Sequence, residues 1–130
     1  MIVVDASVLV PALGDDADDG RRARARLRGE RLAAPGVVDL EVTSALRRHV
    51  RAGLLDRERG LRALGDLARM PLARAPHRPL LARIWALADA LTPYDAAYVA
   101  LAEALGAALV TADGGLARAP GVRCEVRLLP

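Results

Sequence analysis

The chain has 130 residues, 53% of them hydrophobic and 27% charged, with 19 basic and 16 acidic side chains and a formal net charge of +3. That length predicts one domain, residues 1–130, with a real core, and a chain this apolar is excluded from the disordered class. Every basic residue is Arg, aromatics are only 2% and the single cysteine is Cys124. These facts exclude a Walker phosphate loop and Schiff-base lysine chemistry, a base-stacking RNA module, a disulfide framework and a Cys-rich zinc site.

The first residues, Met1-Ile2-Val3-Val4-Asp5, carry no basic leader region, and no stretch of roughly 18 residues is free of charge and helix breakers. Neither a secretory signal nor a membrane span is expected, and the expected location is the cytoplasm.

Ile2 to Val4 is short, apolar and β-branched, the pattern of a buried strand. Ala6 to Leu13 predicts a short helix, residues 14–20 an acidic loop, and Arg21 to Arg28 a second helix capped by Asp18 or Asp19. The Arg run on that helix reads as a solvated face. Arg31 to Ala34 predicts a strand ended by Pro35-Gly36. Val38 to Arg51 predicts a helix stopped by Gly53, and Asp56 to Met70 another, broken by Pro71. Leu72 to Ala75 predicts a third strand.

From Pro76 and Pro79 a helix is expected to run to Leu91 with Leu81 and Trp85 on its apolar side, Trp85 serving as a core or interface anchor. Thr92-Pro93-Tyr94-Asp95 carries an N-cap, a proline at N1 and an acid at N3, and opens a helix to Leu105 that stops at Gly106. Ala107 to Thr111 reads as a buried strand, Asp113-Gly114-Gly115 as a turn into a short helix, and Val122 to Leu128 as a last strand. Strands alternating with helices predict an α/β fold with a mainly parallel sheet of about five short strands.

Ligand sites in such sheets lie outside the carboxyl ends of the strands. Asp5 ends the first strand and Asp113 follows the strand ending at Thr111. Asp95 sits in the first turn of a helix. Glu41 has Val37, Val38 and Ala45 as its helical neighbours, so it lies on an apolar stripe. Each acid also has a plain structural reading: a helix cap for Asp5, a capping-box acid for Asp95, a turn residue for Asp113. Glu41 fits a plain structural reading least, because a carboxylate on a buried stripe is costly unless it is paired or binds a cation.

If all four meet, two charges ~4 Å apart repel by roughly 4 kcal/mol at an effective dielectric of ~20. Protons or a divalent cation must then neutralise the cluster. Oxygen ligands without Cys or paired His favour Mg²⁺ or Mn²⁺ over Zn²⁺.

The ordered runs Val4-Asp5-Ala6-Ser7-Val8-Leu9, Asp39-Leu40-Glu41-Val42-Thr43-Ser44-Ala45-Leu46, Thr92-Pro93-Tyr94-Asp95-Ala96-Ala97-Tyr98 and Leu109-Val110-Thr111-Ala112-Asp113 span nearly the whole chain. In them the sequence resembles the PIN-domain nucleases, and among these the VapC toxins of bacterial toxin–antitoxin pairs. The resemblance implies a three-layer α/β/α fold and a Mg²⁺- or Mn²⁺-dependent endoribonuclease that leaves 5′-phosphate and 3′-hydroxyl ends. It implies Asp5, Glu41, Asp95 and Asp113 as catalytic acids, with Asp5, Asp95 and Asp113 on the metal and Asp95 or Asp113 acting on the attacking water.

Ser7 and Thr111 would be supporting hydroxyls. Arg47 and Arg48, following Glu41 on its helix, would contact the RNA. An antitoxin and a second copy of the chain are the implied protein partners. Many relatives carry a further Asp or Asn shortly after the last acid; here Gly114, Gly115 and Leu116 stand there. The alternatives are a PIN nuclease of RNA processing or DNA cleavage and a silent PIN-like scaffold. Dehalogenase-type phosphatases and receiver domains also place an Asp after the first strand, but both need a Lys. His49 and His77 show no ligand spacing and read as structural or surface residues, and Cys124 as a small buried hydrophobe.

Overall fold

A computed structural model describes residues 1–130. The elements in chain order are β1 (Ile2–Val4), α1 (Ala6–Gly14), α2 (Asp18–Leu27), β2 (Leu32–Pro35), α3 (Val38–Arg51), α4 (Arg57–Arg69) and β3 (Leu72–Ala75). A 3₁₀ turn (Arg78–Leu80) then leads into α5 (Leu81–Ala86), α6 (Pro93–Leu105), β4 (Ala108–Thr111), α7 (Gly114–Arg118) and β5 (Val126–Leu128). The strands form one sheet in the order β3-β2-β1-β4-β5, and every pairing is parallel.

The central strands read as continuous apolar runs because the sheet is covered on both faces. Val3, Val4, Leu109 and Val110 are essentially inaccessible to solvent, and each such aliphatic side chain stabilises the fold by about 1.5–3 kcal/mol. Helix α6 lies against β1, β2 and β4, with α5 packed on it; α1 lies against β4 and gathers α2, α3 and α4. This is the three-layer α/β/α architecture. Helix α6 is buried all round from Ala96 to Ala102, and its many alanines let it sit close to the sheet. Its ends follow local chemistry: Thr92 Oγ1 accepts from the Asp95 N–H at 3.2 Å, and Gly106 closes the helix at φ +60°, where a Cβ would be strained.

Five expectations are corrected. Helix α2 begins at Asp18, not Arg21, and neither Asp18 nor Asp19 caps it. Asp15 does that work from upstream, its carboxylate accepting from the Ala17 and Gly20 N–H groups at 2.8 and 3.3 Å. The Arg face of α2 is only partly solvated, because Arg24 turns inward onto the Ala12 and Asp15 carbonyls. The helix expected to reach Leu91 is only the six-residue α5, whose phase is set by the burial of Ile84 and Leu87. Trp85 is therefore 81% exposed and Leu81 53% exposed, and Trp85 is no core anchor. Cys124 is half-buried against the core edge rather than within it.

Candidate active site

The chain leaves β1 for β2 and β3 on one side of the sheet and returns through β4 and β5 on the other. The carboxyl ends of β1 and β4 therefore border the point where strand order reverses, the place where open α/β sheets form ligand crevices. A cleft of about 490 Å³ opens there, lined by Asp5, Ser7, Glu41, Ser44, Arg48, His49, Asp95 and Asp113 among others. All four acids singled out in the sequence meet in it.

Asp5 is the best-held of the four. Val4 pairs with Val110, so the next residues on each strand, Asp5 and Thr111, stand side by side. Apart from the Tyr98 phenol, these two are the only buried polar side chains. Thr111 Oγ1 donates to Asp5 Oδ2 at 2.8 Å and Ser7 Oγ donates to the same oxygen at 2.6 Å. Each hydroxyl has one hydrogen, and both are committed to Asp5. As acceptors, Ser7 takes the Ala112 N–H at 2.9 Å and Thr111 takes the Asp113 N–H at 3.0 Å. The two supporting hydroxyls thus lock Asp5 to the backbone that carries Asp113.

The plain structural readings fare unequally. Asp5 stands at the N-cap of α1, yet its side chain makes no capping bond. Asp95 does not return a bond to the Thr92 N–H, so the capping box is only half formed. Asp113 does cap α7, accepting from the Gly115 N–H at 2.8 Å. Glu41 accepts from the Tyr98 hydroxyl at 2.6 Å.

Electrostatics separate this cleft from the rest of the surface. Eight acids pair with an Arg within 4.0 Å, and none of the four cleft acids is among them. Burial raises the Asp95 carboxyl above its ordinary range, and the charges of Asp5 and Asp113 raise it further. Burial likewise raises Glu41; the Tyr98 bond opposes this, and Asp5 and Asp95 add to it.

As the side chains stand, no three His, Cys, Asp or Glu groups are close enough together to ligate one ion. A three-carboxylate cage is thus not what the cleft offers. Its carboxylates still suit a hard cation: none of the four is paired with an arginine, although Arg48 and His49 also line the cleft. Mg²⁺ is commonly held by one or two carboxylates with several retained waters, and that demand fits this donor set.

Arg48 lines the cleft and donates only to Ser44 Oγ, at 3.3 Å. Arg47, one residue earlier on α3, points about 100° away and does not line the cleft. Two residues were missed by sequence reasoning. His49 lines both the cleft and an adjoining apolar groove of about 520 Å³. The signal was helical spacing, since Glu41, Ser44, Ala45, Arg48 and His49 fall on one face of α3. Tyr98 was given no role, although it lies three residues after Asp95 on the same helix.

The family model described as PIN domain matches residues 2–122. Ribonuclease VapC9 of Mycobacterium tuberculosis is 43% identical over 130 residues, all of this chain and 99% of the relative. Ribonuclease VapC12 of the same species is 40% identical over 129 residues, 99% of each. The crystal structure of VapBC2 from Rickettsia felis bound to a DNA fragment from their promoter superposes with a TM-score of 0.70 at 15% identity, covering 100% of both chains, a likeness of fold.

Proposed function

The chain belongs to the PIN-domain family, in its VapC branch, and from that premise we propose that it is a Mg²⁺- or Mn²⁺-dependent endoribonuclease, the toxin of a toxin–antitoxin pair. The observation that carries this reading is the gathering of four carboxylates without an arginine partner in one cleft at the strand-order reversal. Relatives named as ribonucleases over the full chain length support the reaction class. Residues 1–130 act as one PIN domain in this reading. No helix is long and apolar enough to cross a membrane.

Asp5, Asp95 and Asp113 are the residues that would hold the cation, one or two of them directly and the rest through its retained waters. Bound there, it would offset negative charge on the phosphodiester and make water acidic enough to deprotonate near neutral pH. Ser7 and Thr111 fix the Asp5 carboxylate, so its orientation is set before substrate arrives. Glu41 is the remaining acid, and its raised proton affinity suits it to take the proton of the attacking water. Arg48 contacts an RNA phosphate at the rim. The antitoxin and a second copy of the chain are the protein partners this reading implies.

The test is RNA cleavage by Asp5→Asn with Mg²⁺ present. The reading expects a loss of at least about 100-fold, the low end for a positioned catalytic group. A near-normal rate contradicts it.

A further inference from the structure

We infer that Tyr98 is a positioning residue of the cleft, acting through Glu41 by a hydrogen bond that ties helix α6 to helix α3. The inference rests on the ribonuclease reading of the cleft and deepens it.

The ring of Tyr98 is wholly buried, in a core with no Phe anywhere in the chain. Packing alone is served as well by the ring without its hydroxyl, because a change that keeps the volume is tolerated in a core. A buried hydroxyl is costly unless it is bonded. This one is bonded to a single acceptor: Tyr98 Oη donates to Glu41 Oε1 at 2.6 Å, across 57 residues of sequence. That length is typical of an O–H donor on an ionised carboxylate, a bond about twice as strong as a neutral one.

The consequence is geometric. A glutamate has three side-chain torsions, and in a half-open cleft ringed by other carboxylates it would be driven outward by repulsion. The Tyr98 bond holds one oxygen of Glu41 inward and leaves the other to the cleft. Asp95 is carried by the same helix one turn earlier, so α6 supplies one acid directly and sets the position of a second. Registry between Glu41 and Asp95 then depends on one bond between two helices that make no other side-chain hydrogen bond to each other.

The experiment is a double-mutant cycle on the full chain: wild type, Tyr98→Phe, Glu41→Ala and the double variant. Each is assayed with Mg²⁺ on a single-stranded RNA selected for wild-type cleavage from a randomised library, and each is melted thermally. If Tyr98 acts through Glu41, Tyr98→Phe lowers kcat about tenfold with KM unchanged in the wild type. In the Glu41→Ala background it lowers kcat no further, and Tyr98→Phe lowers the melting temperature only where Glu41 is present. Equal losses of kcat in both backgrounds, or an unchanged kcat, overturn the inference and leave the ribonuclease reading intact. A wild type that cleaves no member of the library overturns the reading and the inference together.

Discussion

Helix α6 carries an acid near each end, and the two sit in opposite electrostatic settings. Asp95, in the first turn, faces Asp5, Glu41 and Asp113 and has no arginine partner. Glu103, two turns on, is gripped by both arms of Arg83 at 2.7 and 3.0 Å and also accepts the Arg123 N–H at 2.8 Å. Arg83 reaches on to the Gly121 carbonyl, so the cluster ties α5, α6 and the approach to β5. The carboxyl of Asp95 is pushed up by burial; that of Glu103 is held down by the Arg83 bond. The same residue class on one helix does structural work where its charge is answered and is free for chemistry where it is not.

The largest test of that contrast exchanges each charge for an amide. Asp95→Asn should lower RNA cleavage at least about 100-fold while the melting temperature holds or rises, because a repelling charge has gone. Glu103→Gln should leave the rate near wild type and lower the melting temperature. If both variants lose activity equally, the division between the two ends of α6 is wrong.

A smaller effect is expected from Arg83→Ala, which strands Glu103. Denaturant unfolding should show a loss of about 1–2 kcal/mol, limited by the partial exposure of the pair. The same truncation at Arg48, which answers no acid, should cost little stability and should weaken RNA binding instead, with a shallower salt dependence.

The smallest effect lies in pH. Because Asp95 and Glu41 are raised, the folded chain binds their protons more tightly than the unfolded chain does. Their ionisation therefore subtracts stability as pH rises from the ordinary carboxylate range through the raised values. Glu103 is lowered, so its stabilisation is present above the ordinary range and lost as pH falls through its folded value. In chelator, Asp95→Asn should remove part of the gain seen on mild acidification, and Glu103→Gln part of the loss seen at lower pH. Unfolding midpoints between pH 7 and 3 measure both.

What the sequence revealed follows the same division between local and long-range causes. The start of α6 was legible because Thr92, Pro93 and Gly106 act within one turn of themselves. Asp5 and Asp113 were legible because Asp5 directly follows an apolar strand and Asp113 lies just past another, and strand ends in parallel sheets share one edge. The roles of Asp15 and Arg24 were hidden, since each depends on how close α2 packs to α1. The core reading of Trp85 failed because apolar composition does not fix helical phase when the helix is only six residues long. Tyr98 and His49 were hidden for a further reason. Their meaning lies in a neighbour on another helix or in the mouth of a cleft, and neither position exists until the chain is folded.

Everything proposed for the cleft depends on its negative charge being left for a cation to answer. Titration of the purified chain with Mn²⁺ by calorimetry, without RNA or any partner, tests this alone. The account predicts saturable binding by the wild type that is lost in Asp5→Asn and kept in Glu103→Gln. A wild type that binds no Mn²⁺, or an Asp5→Asn variant that binds it as well as the wild type, would contradict it.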